Sequence, residues 1–262
     1  MQLDLSGRHA LVCGASQGIG RACAIELALL GANVTVLARR AEVLAEVVGS
    51  LPRTDGAQHH DLLVADAGDT GSLRERVEAL VAAAPVHILV NNSGGPPPGS
   101  ILDATPPQFL DAFGQHLLAN HTLAQVVIPG MRDAGWGRIV NIISTSVKEP
   151  LSGIGVSNTT RGAVASWAKT LAGELAPLGI TVNNVLPGST HTPRIEQIVR
   201  VRAQKSGRSE VEVAREMAAE IPMGRFADPA ETAAAVAFLA SPAASYITGT
   251  SLPVDGGRMR SL

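Results

Sequence analysis

Aromatic residues and cysteines are scarce in this sequence. Aromatic side chains make up 3% of its 262 residues, and the single tyrosine is Tyr246. The two cysteines, Cys13 and Cys23, are too few for a disulfide framework or for a metal site of four thiolates. Both lie in apolar surroundings, so we expect buried, reduced thiols, as is usual in cytoplasmic proteins.

The sequence also lacks an excess of either charge and a long apolar run. The net charge is −2, so it provides neither a basic face for nucleic acid nor an acidic tail. No stretch approaches the ~18 apolar residues of a membrane-spanning helix, and the first residues do not resemble a signal peptide. We therefore expect a cytoplasmic protein that acts on a small molecule and binds neither nucleic acid nor membrane. Adjacent His59 and His60 would point to opposite faces of a strand, so no metal site is predicted.

Short apolar runs alternate with longer helical patterns along the chain. The seven predicted strands are residues 9–13, 33–38, 61–65, 86–90, 138–143, 180–186 and 251–254. The six predicted helices are residues 19–30, 41–50, 73–83, 107–131, 154–176 and 229–240. Strands buried on both faces read as continuous apolar runs, and this alternation is typical of a parallel sheet with helices on both sides. We predict an α/β fold: a single doubly wound (Rossmann) domain over residues 1–262 with a seven-stranded parallel sheet.

Two segments interrupt this alternation. Residues 94–99 form a Gly/Pro-rich loop after the fourth predicted strand, and residues 194–220 are charged and helical in pattern. Ligands of open α/β sheets bind beyond the carboxyl ends of the strands, where both segments lie. Residues 194–220 are thus either a substrate-side helical flap or a solvated helix.

A glycine-rich turn follows the first predicted strand. Gly14, Gly18 and Gly20 fit G-x-x-x-G-x-G, a variant of the dinucleotide fingerprint. Such glycines allow a tight turn and a close approach of the backbone to a pyrophosphate, which free N–H groups of the helix N-terminus then bind. The predicted contacts in this turn are Gly14, Ser16, Gln17, Gly18, Ile19 and Gly20.

The end of the second predicted strand indicates which cofactor is bound. An NAD site usually places a carboxylate there, whereas this chain has Ala38, Arg39 and Arg40. Guanidinium groups can pair with a 2′-phosphate. The sequence therefore favours NADP(H) over NAD(H), with Arg39 as a phosphate ligand.

Several further motifs occur in the order found in one enzyme family. Residues 91–94 read N-N-S-G, Asp66 follows the third strand, and Pro187-Gly188 precedes Thr192 by four residues. Residues 221–225, 238–241 and 254–257 add a C-terminal signature. The sequence resembles the short-chain dehydrogenase/reductase family nearly end to end. This resemblance implies that the cofactor is also bound by Asp66, Asn91, Ser93, Gly94, Arg161, Pro187, Gly188 and Thr192.

The catalytic positions depart from that family's pattern. The family uses a serine, a tyrosine thirteen residues later in Y-x-x-x-K, and an asparagine on an earlier helix. Here the serine position holds Ser144, but the tyrosine, lysine and asparagine positions hold Ser157, Arg161 and His116. The chain thus resembles an atypical subgroup similar to 3-oxoacyl-acyl-carrier-protein reductases, with a degenerate catalytic tetrad.

These replacements change the expected source of the proton in a carbonyl reduction. A serine is far too weak an acid to replace a tuned tyrosine, and Arg161 can bind ribose hydroxyls but cannot relay protons. His116 is the best replacement acid by chemistry, because an unperturbed histidine titrates near neutrality. Lys148 and His191 are further candidates, and each of the three could instead be an ordinary polar side chain.

Two functions therefore remain open. The first is an NADP(H)-dependent oxidoreductase with a non-standard proton donor, acting on a small carbonyl compound or an acyl thioester. The second is a cofactor-binding protein with little turnover, serving as a sensor or an oligomer partner. The resemblance also implies a homotetramer or homodimer. One interface would be formed by helices 107–131 and 154–176, the other by helix 229–240 and the last strand.

Overall fold

A computed structural model of the chain describes residues 1–261 and contains one seven-stranded sheet. Every neighbouring pair of strands is parallel, and the order is β3-β2-β1-β4-β5-β6-β7. The strands are β1 (His9–Cys13), β2 (Asn33–Ala38), β3 (His60–Val64), β4 (Ile88–Asn91), β5 (Gly137–Ile142), β6 (Ile180–Pro187) and β7 (Ser251–Val254). The predicted parallel sheet is confirmed, with strand ends shifted by at most two residues.

Helices cover both faces of the sheet. They are α1 (Gly18–Leu29), α2 (Ala41–Ser50), α3 (Thr70–Ala83), α4 (Pro106–Phe113), α5 (Ala119–Asp133), α6 (Gly155–Leu175), α7 (Pro193–Ser206), α8 (Glu210–Ala219) and α9 (Pro229–Ala240). One apolar core joins the sheet to α1, α2 and α9, and a second joins it to α3, α5 and α6. This is the doubly wound arrangement that the sequence predicts.

The long helix expected over residues 107–131 is interrupted. A π-helical turn, Gly114–Leu118, separates α4 from α5 and carries the buried His116. Gly114 has the low helix propensity that favours such a break, and π-turns are frequent at functional sites. The interruption changes which way the side chains of this turn point, which matters for His116 below.

A row of buried polar side chains crosses four strands of the sheet. Asn91, Asn141, Asn184 and Ser251 occupy matching positions on β4, β5, β6 and β7. Each amide Nδ2 donates to the next residue, over 2.8 Å, 3.0 Å and 3.1 Å in turn. Buried amides are tolerated when they are hydrogen-bonded to one another, so this row fixes the register of the strands.

The two cysteines lie in the core. Cys13 and Cys23 are buried, and burial raises the pKa of the Cys13 thiol to about 12. Both are therefore protonated, unreactive thiols at neutral pH. Within residues 1–261, none of the helices combines the length and apolar character needed to cross a membrane.

Candidate active site

Two cavities lie side by side at the carboxyl ends of the strands. The first, about 550 Å³, is lined by Ser144, Ser157 and Arg161 and is called the serine cavity. The second, about 700 Å³, is lined by Arg39 and Asp66 and is called the Arg39 cavity. The residues that line both are Gly14, Gln17, Asn92, Ser93, Gly94 and Gly95. The shared wall makes them two ends of one cleft, which is the expected ligand position in this fold.

The glycine turn after β1 leaves no room for side chains. Gly14 and Gly18 have φ values of +59° and +56°, which other residues rarely adopt. A Cβ on Gly20 would overlap the carbonyl oxygen of Gly14 and lie 2.7 Å from Nδ2 of Asn92. That same Nδ2 donates to the carbonyl oxygens of Cys13 (3.3 Å) and Gly14 (3.2 Å), so Asn92 holds the turn in place.

Gly20 itself lines neither cavity, and its contact with the cofactor stays a prediction. It packs beneath the turn, where its missing side chain lets helix α1 approach β1. The other predicted residues of the turn, Gly14, Ser16, Gln17, Gly18 and Ile19, do line the cleft.

Two free cations stand at the end of β2. Arg39 and Arg40 are exposed, line the Arg39 cavity, and have no side-chain hydrogen bond or ion pair with other residues in 1–261. Asp66 lines the same cavity, and its carboxylate accepts the backbone N–H of Gly68 at 2.9 Å. The cavity thus presents two unpaired guanidinium groups to a ligand.

The serine cavity brings together three of the predicted catalytic residues. The Ser144 hydroxyl accepts the N–H of Ser146 at 3.1 Å, in the turn after β5. The Ser157 hydroxyl accepts from Nε of Arg161 at 3.3 Å, one helical turn along α6. Pro187, Gly188 and Thr192, predicted to hold the cofactor, line the same cavity.

Arg161 is fixed by the carbonyl groups at the end of β5. Its Nη1 donates to the carbonyl oxygens of Ile142 (3.2 Å) and Ile143 (3.0 Å), while Nη2 has no partner in residues 1–261. Burial, and secondarily the charge of Arg194, lower the pKa of Arg161 to about 10. The guanidinium therefore stays charged at neutral pH and offers only Nη2 to a ligand.

His116 lies behind the cavity wall. It is 4% exposed and lines neither cavity, and its Nδ1 is 2.6 Å from the hydroxyl of Ser93, which does line the cleft. Its Nε2 is buried without a partner among residues 1–261. Burial, then the charge of Arg161, lower its pKa to about 3. This pKa lies well below that of an unperturbed histidine, because a charged imidazole would lose its hydration here.

Four other side chains lie outside both cavities. Asn91 is buried in the amide row of the sheet, whereas its neighbour Asn92 lines both cavities, so the contact of Asn91 with the cofactor stays a prediction. Lys148 and His191 are exposed and line neither cavity. Tyr246 is fully exposed and also outside both cavities.

The sequence reasoning missed two side chains of the cleft. Asn92 is adjacent to Asn91 in the same motif, and only the alternation of side chains along a strand could have separated them. Arg194 is the first residue of the 194–220 segment, and its Nη2 donates to the carbonyl oxygen of Pro96 at 2.9 Å. That bond joins the two segments expected to shape a substrate pocket.

Comparison with known proteins agrees with this architecture. A family model described as enoyl-(acyl carrier protein) reductase matches residues 14–258, which is nearly the whole chain. The chain belongs to the short-chain dehydrogenase/reductase family. Its resemblance to that family, first read from the motifs, is thereby confirmed.

Individual members of the family match along their full length. The 3-oxoacyl-[acyl-carrier-protein] reductase FabG of Vibrio cholerae is 34% identical, over 97% of this chain and 98% of that protein. The NADPH-dependent reductase BacG of Bacillus subtilis is 31% identical, over 98% and 100%. The L-sorbose reductase of Gluconobacter frateurii, solved with NADPH and L-sorbose, superposes with a TM-score of 0.94 at 31% identity over all of both chains.

Proposed function

We propose that this short-chain dehydrogenase/reductase is an NADP(H)-dependent oxidoreductase that acts on the carbonyl of a small compound or an acyl thioester. The observation that carries the proposal is the glycine turn together with the two unpaired guanidinium groups at the end of β2. The NADPH named for the Bacillus and Gluconobacter relatives supports the same cofactor.

The residues present fit this dinucleotide. The glycine turn would accept a pyrophosphate because its glycines carry no side chains that keep an anion from the backbone N–H groups. Arg39 and Arg40 would hold the 2′-phosphate, and Asp66 the adenine. Ser93, Gly94, Pro187, Gly188 and Thr192 line the serine cavity and would hold the nicotinamide end. When bound, NADPH supplies the hydride that, with one proton, converts a carbonyl to an alcohol.

The catalytic site is non-standard in this proposal. The hydroxyls of Ser144 and Ser157 donate hydrogen bonds to the substrate oxygen, and the fixed positive charge of Arg161 in the same cavity favours negative charge on it. The lining of the serine cavity contains no histidine, cysteine, tyrosine, lysine or carboxylate side chain. The proton therefore reaches the substrate oxygen from water, with the serines as hydrogen-bond donors. His116 positions Ser93 and transfers no proton.

The lack of a tuned acid in the serine cavity also favours the second function, a cofactor-binding protein with little turnover. A site without a tuned acid loses roughly 10²- to 10⁴-fold in rate, so the chain could bind cofactor tightly and turn over little. The test is to mix the protein with NADPH and a panel of ketones and acetoacetyl thioesters and follow absorbance of the reduced nicotinamide. Oxidation above the protein-free rate supports the enzyme, whereas tight binding without oxidation supports the second function.

Cofactor choice is tested by fluorescence titration of NADPH and NADH. Charge-assisted contacts of about 1.5–3 kcal/mol predict that NADPH binds about 10- to 100-fold more tightly. Arg39→Asp should abolish this preference. Arg53→Asp makes the same charge change at an exposed position outside both cavities and should keep it. Equal affinities in the wild type would contradict the assignment.

The 194–220 segment and the assembly complete the proposal. The first turn of α7 contributes Arg194, Ile195, Gln197 and Ile198 to the serine cavity. This placement supports a substrate-side flap.

A homotetramer is supported by exposed apolar side chains on the helices expected at an interface, such as Leu110 (71% exposed) and Leu118 (52% exposed).

A further inference from the structure

The charged residues that line the serine cavity are all cations. They are Arg161, Arg194 and Arg258, and the lining contains no aspartate or glutamate. Arg258 is paired with Glu220 at 3.1 Å, outside the lining. Arg161 and Arg194 have no carboxylate within ion-pair distance in the part of the chain that the structure describes. A cleft with two unpaired cations attracts anions.

The two arginines converge on one point. A Cβ placed on Gly95 would lie 3.5 Å from Nη2 of Arg161 and 3.9 Å from Nη2 of Arg194. Each guanidinium is already held by neutral acceptors: Arg161 by the β5 carbonyls, and Arg194 by Pro96 and by Gln197 at 3.3 Å. Both are thus preorganised at the cost of mutual repulsion, which an anion between them would relieve.

The pair lies at the end of the cleft that holds the predicted catalytic serines. Arg161 and Arg194 line the serine cavity together with Ser144 and Ser157, and neither arginine lines the Arg39 cavity. An anion held between the two arginines would therefore lie in the same cavity as the serine hydroxyls.

We propose that the serine cavity selects a carbonyl substrate that carries a carboxylate, held between Arg161 and Arg194. This inference rests on the proposed function, because it names the substrate class of the same site. The Nη2 atoms of the two arginines both lie close to the point beside Gly95, so that each can donate to one oxygen of a carboxylate. The substrate is then an oxo acid, which has both a carbonyl and a carboxylate. Its carboxylate supplies the negative charge that the cavity lacks, while its carbonyl oxygen accepts hydrogen bonds from the serine hydroxyls.

The test measures binding, without relying on turnover. The protein loaded with NADP⁺ is titrated calorimetrically with acetoacetate and 4-oxopentanoate, and with the methyl ester of each. We expect each acid to bind at least about tenfold more tightly than its ester. Arg194→Gln should remove most of this preference, and Arg202→Gln, an exposed change on the same helix, should keep it.

A second pair of variants tests whether a carboxylate of the protein itself can occupy the point between the two arginines. Gly95 has no positive φ, and a Cβ there makes ordinary contacts, so side chains are tolerated. Gly95→Asp puts a carboxylate between the arginines and should weaken acid binding more than tenfold while affecting the esters far less. Gly95→Asn has the same shape without the charge and should retain the preference for acids.

Two results would overturn the inference. One is equal affinity of the wild type for acids and esters. The other is an Arg194→Gln variant that binds NADPH as poorly as it binds the acids, because the arginine would then serve the cofactor's phosphates. If the wild type binds no NADP⁺, the proposed function fails, and the same titrations of the unloaded protein test the carboxylate site separately.

Discussion

Replacing His116 with asparagine should remove part of the pH dependence of folding stability. The imidazole is buried, and its pKa is lowered to about 3 from the ordinary 6.5. At pH values between these two pKa values, His116 is protonated in the unfolded chain and neutral in the folded chain. The free energy of unfolding contributed by His116 is therefore present above pH 6.5 and is lost as the pH falls below it.

The magnitude follows from the two pKa values. At pH 5.5, one unit below the ordinary pKa, the unfolded histidine is mostly protonated and the folded one is neutral. This difference lowers the free energy of unfolding by about 1 kcal/mol relative to pH 7. Asparagine does not titrate, so the His116→Asn variant should lack that loss, and its amide can still contact Ser93.

The assay is urea unfolding of both proteins at pH 7 and pH 5.5. The wild type should lose about 1 kcal/mol more than the variant between the two pH values. Three other histidines, His9, His60 and His87, also have pKa values lowered chiefly by burial, but they are common to both proteins and cancel. Equal losses would show that His116 titrates normally and would restore it as a candidate acid.

Three further predictions concern the core, the reaction and the assembly. Asn141→Ala leaves Nδ2 of Asn91 and Oδ1 of Asn184 without their partner in the sheet, so urea unfolding should show a loss of about 2–4 kcal/mol. A loss below about 1 kcal/mol would contradict the buried row. The triple change His116→Asn, Ser157→Tyr, Arg161→Lys restores the family residues and should raise NADPH oxidation with a neutral acetoacetyl thioester by about 10²-fold or more. No increase would mean that the proton source has been misplaced. Light scattering at micromolar concentration should give a tetramer, and a monomer would refute that assembly.

The sheet could be predicted from the sequence because its signals are local. Strands buried on both faces are mostly apolar, and the glycine turn is required by backbone geometry that side chains would obstruct. The helix over residues 107–131 was less predictable. Its periodicity continues through Gly114–Leu118, and the π-turn there does not interrupt the apolar pattern.

The environment of individual side chains could not be predicted in the same way. Asn91 and Asn92 have the same chemistry, yet one pairs with Asn141 in the sheet and the other holds the glycine turn. His116 was assigned an ordinary pKa because neither its burial nor its distance from Arg161 can be read from the chain. The point beside Gly95 that matters for an anion is approached by Arg161 and Arg194, which are far apart in sequence.

In the proposed site, an arginine at position 161, where the family's pattern has a lysine, connects the non-standard proton source with the charge of the cleft. A lysine can turn its ammonium group toward a neighbouring tyrosine or a ribose. The planar guanidinium of Arg161 instead donates to the carbonyls of Ile142 and Ile143 and leaves Nη2 facing Gly95. With Ser157 where that pattern has a tyrosine, the proposed site holds no phenol that this charge could activate. The fixed charge is therefore better suited to binding a substrate anion than to tuning an acid, and the reaction would depend on the substrate's carboxylate for orientation.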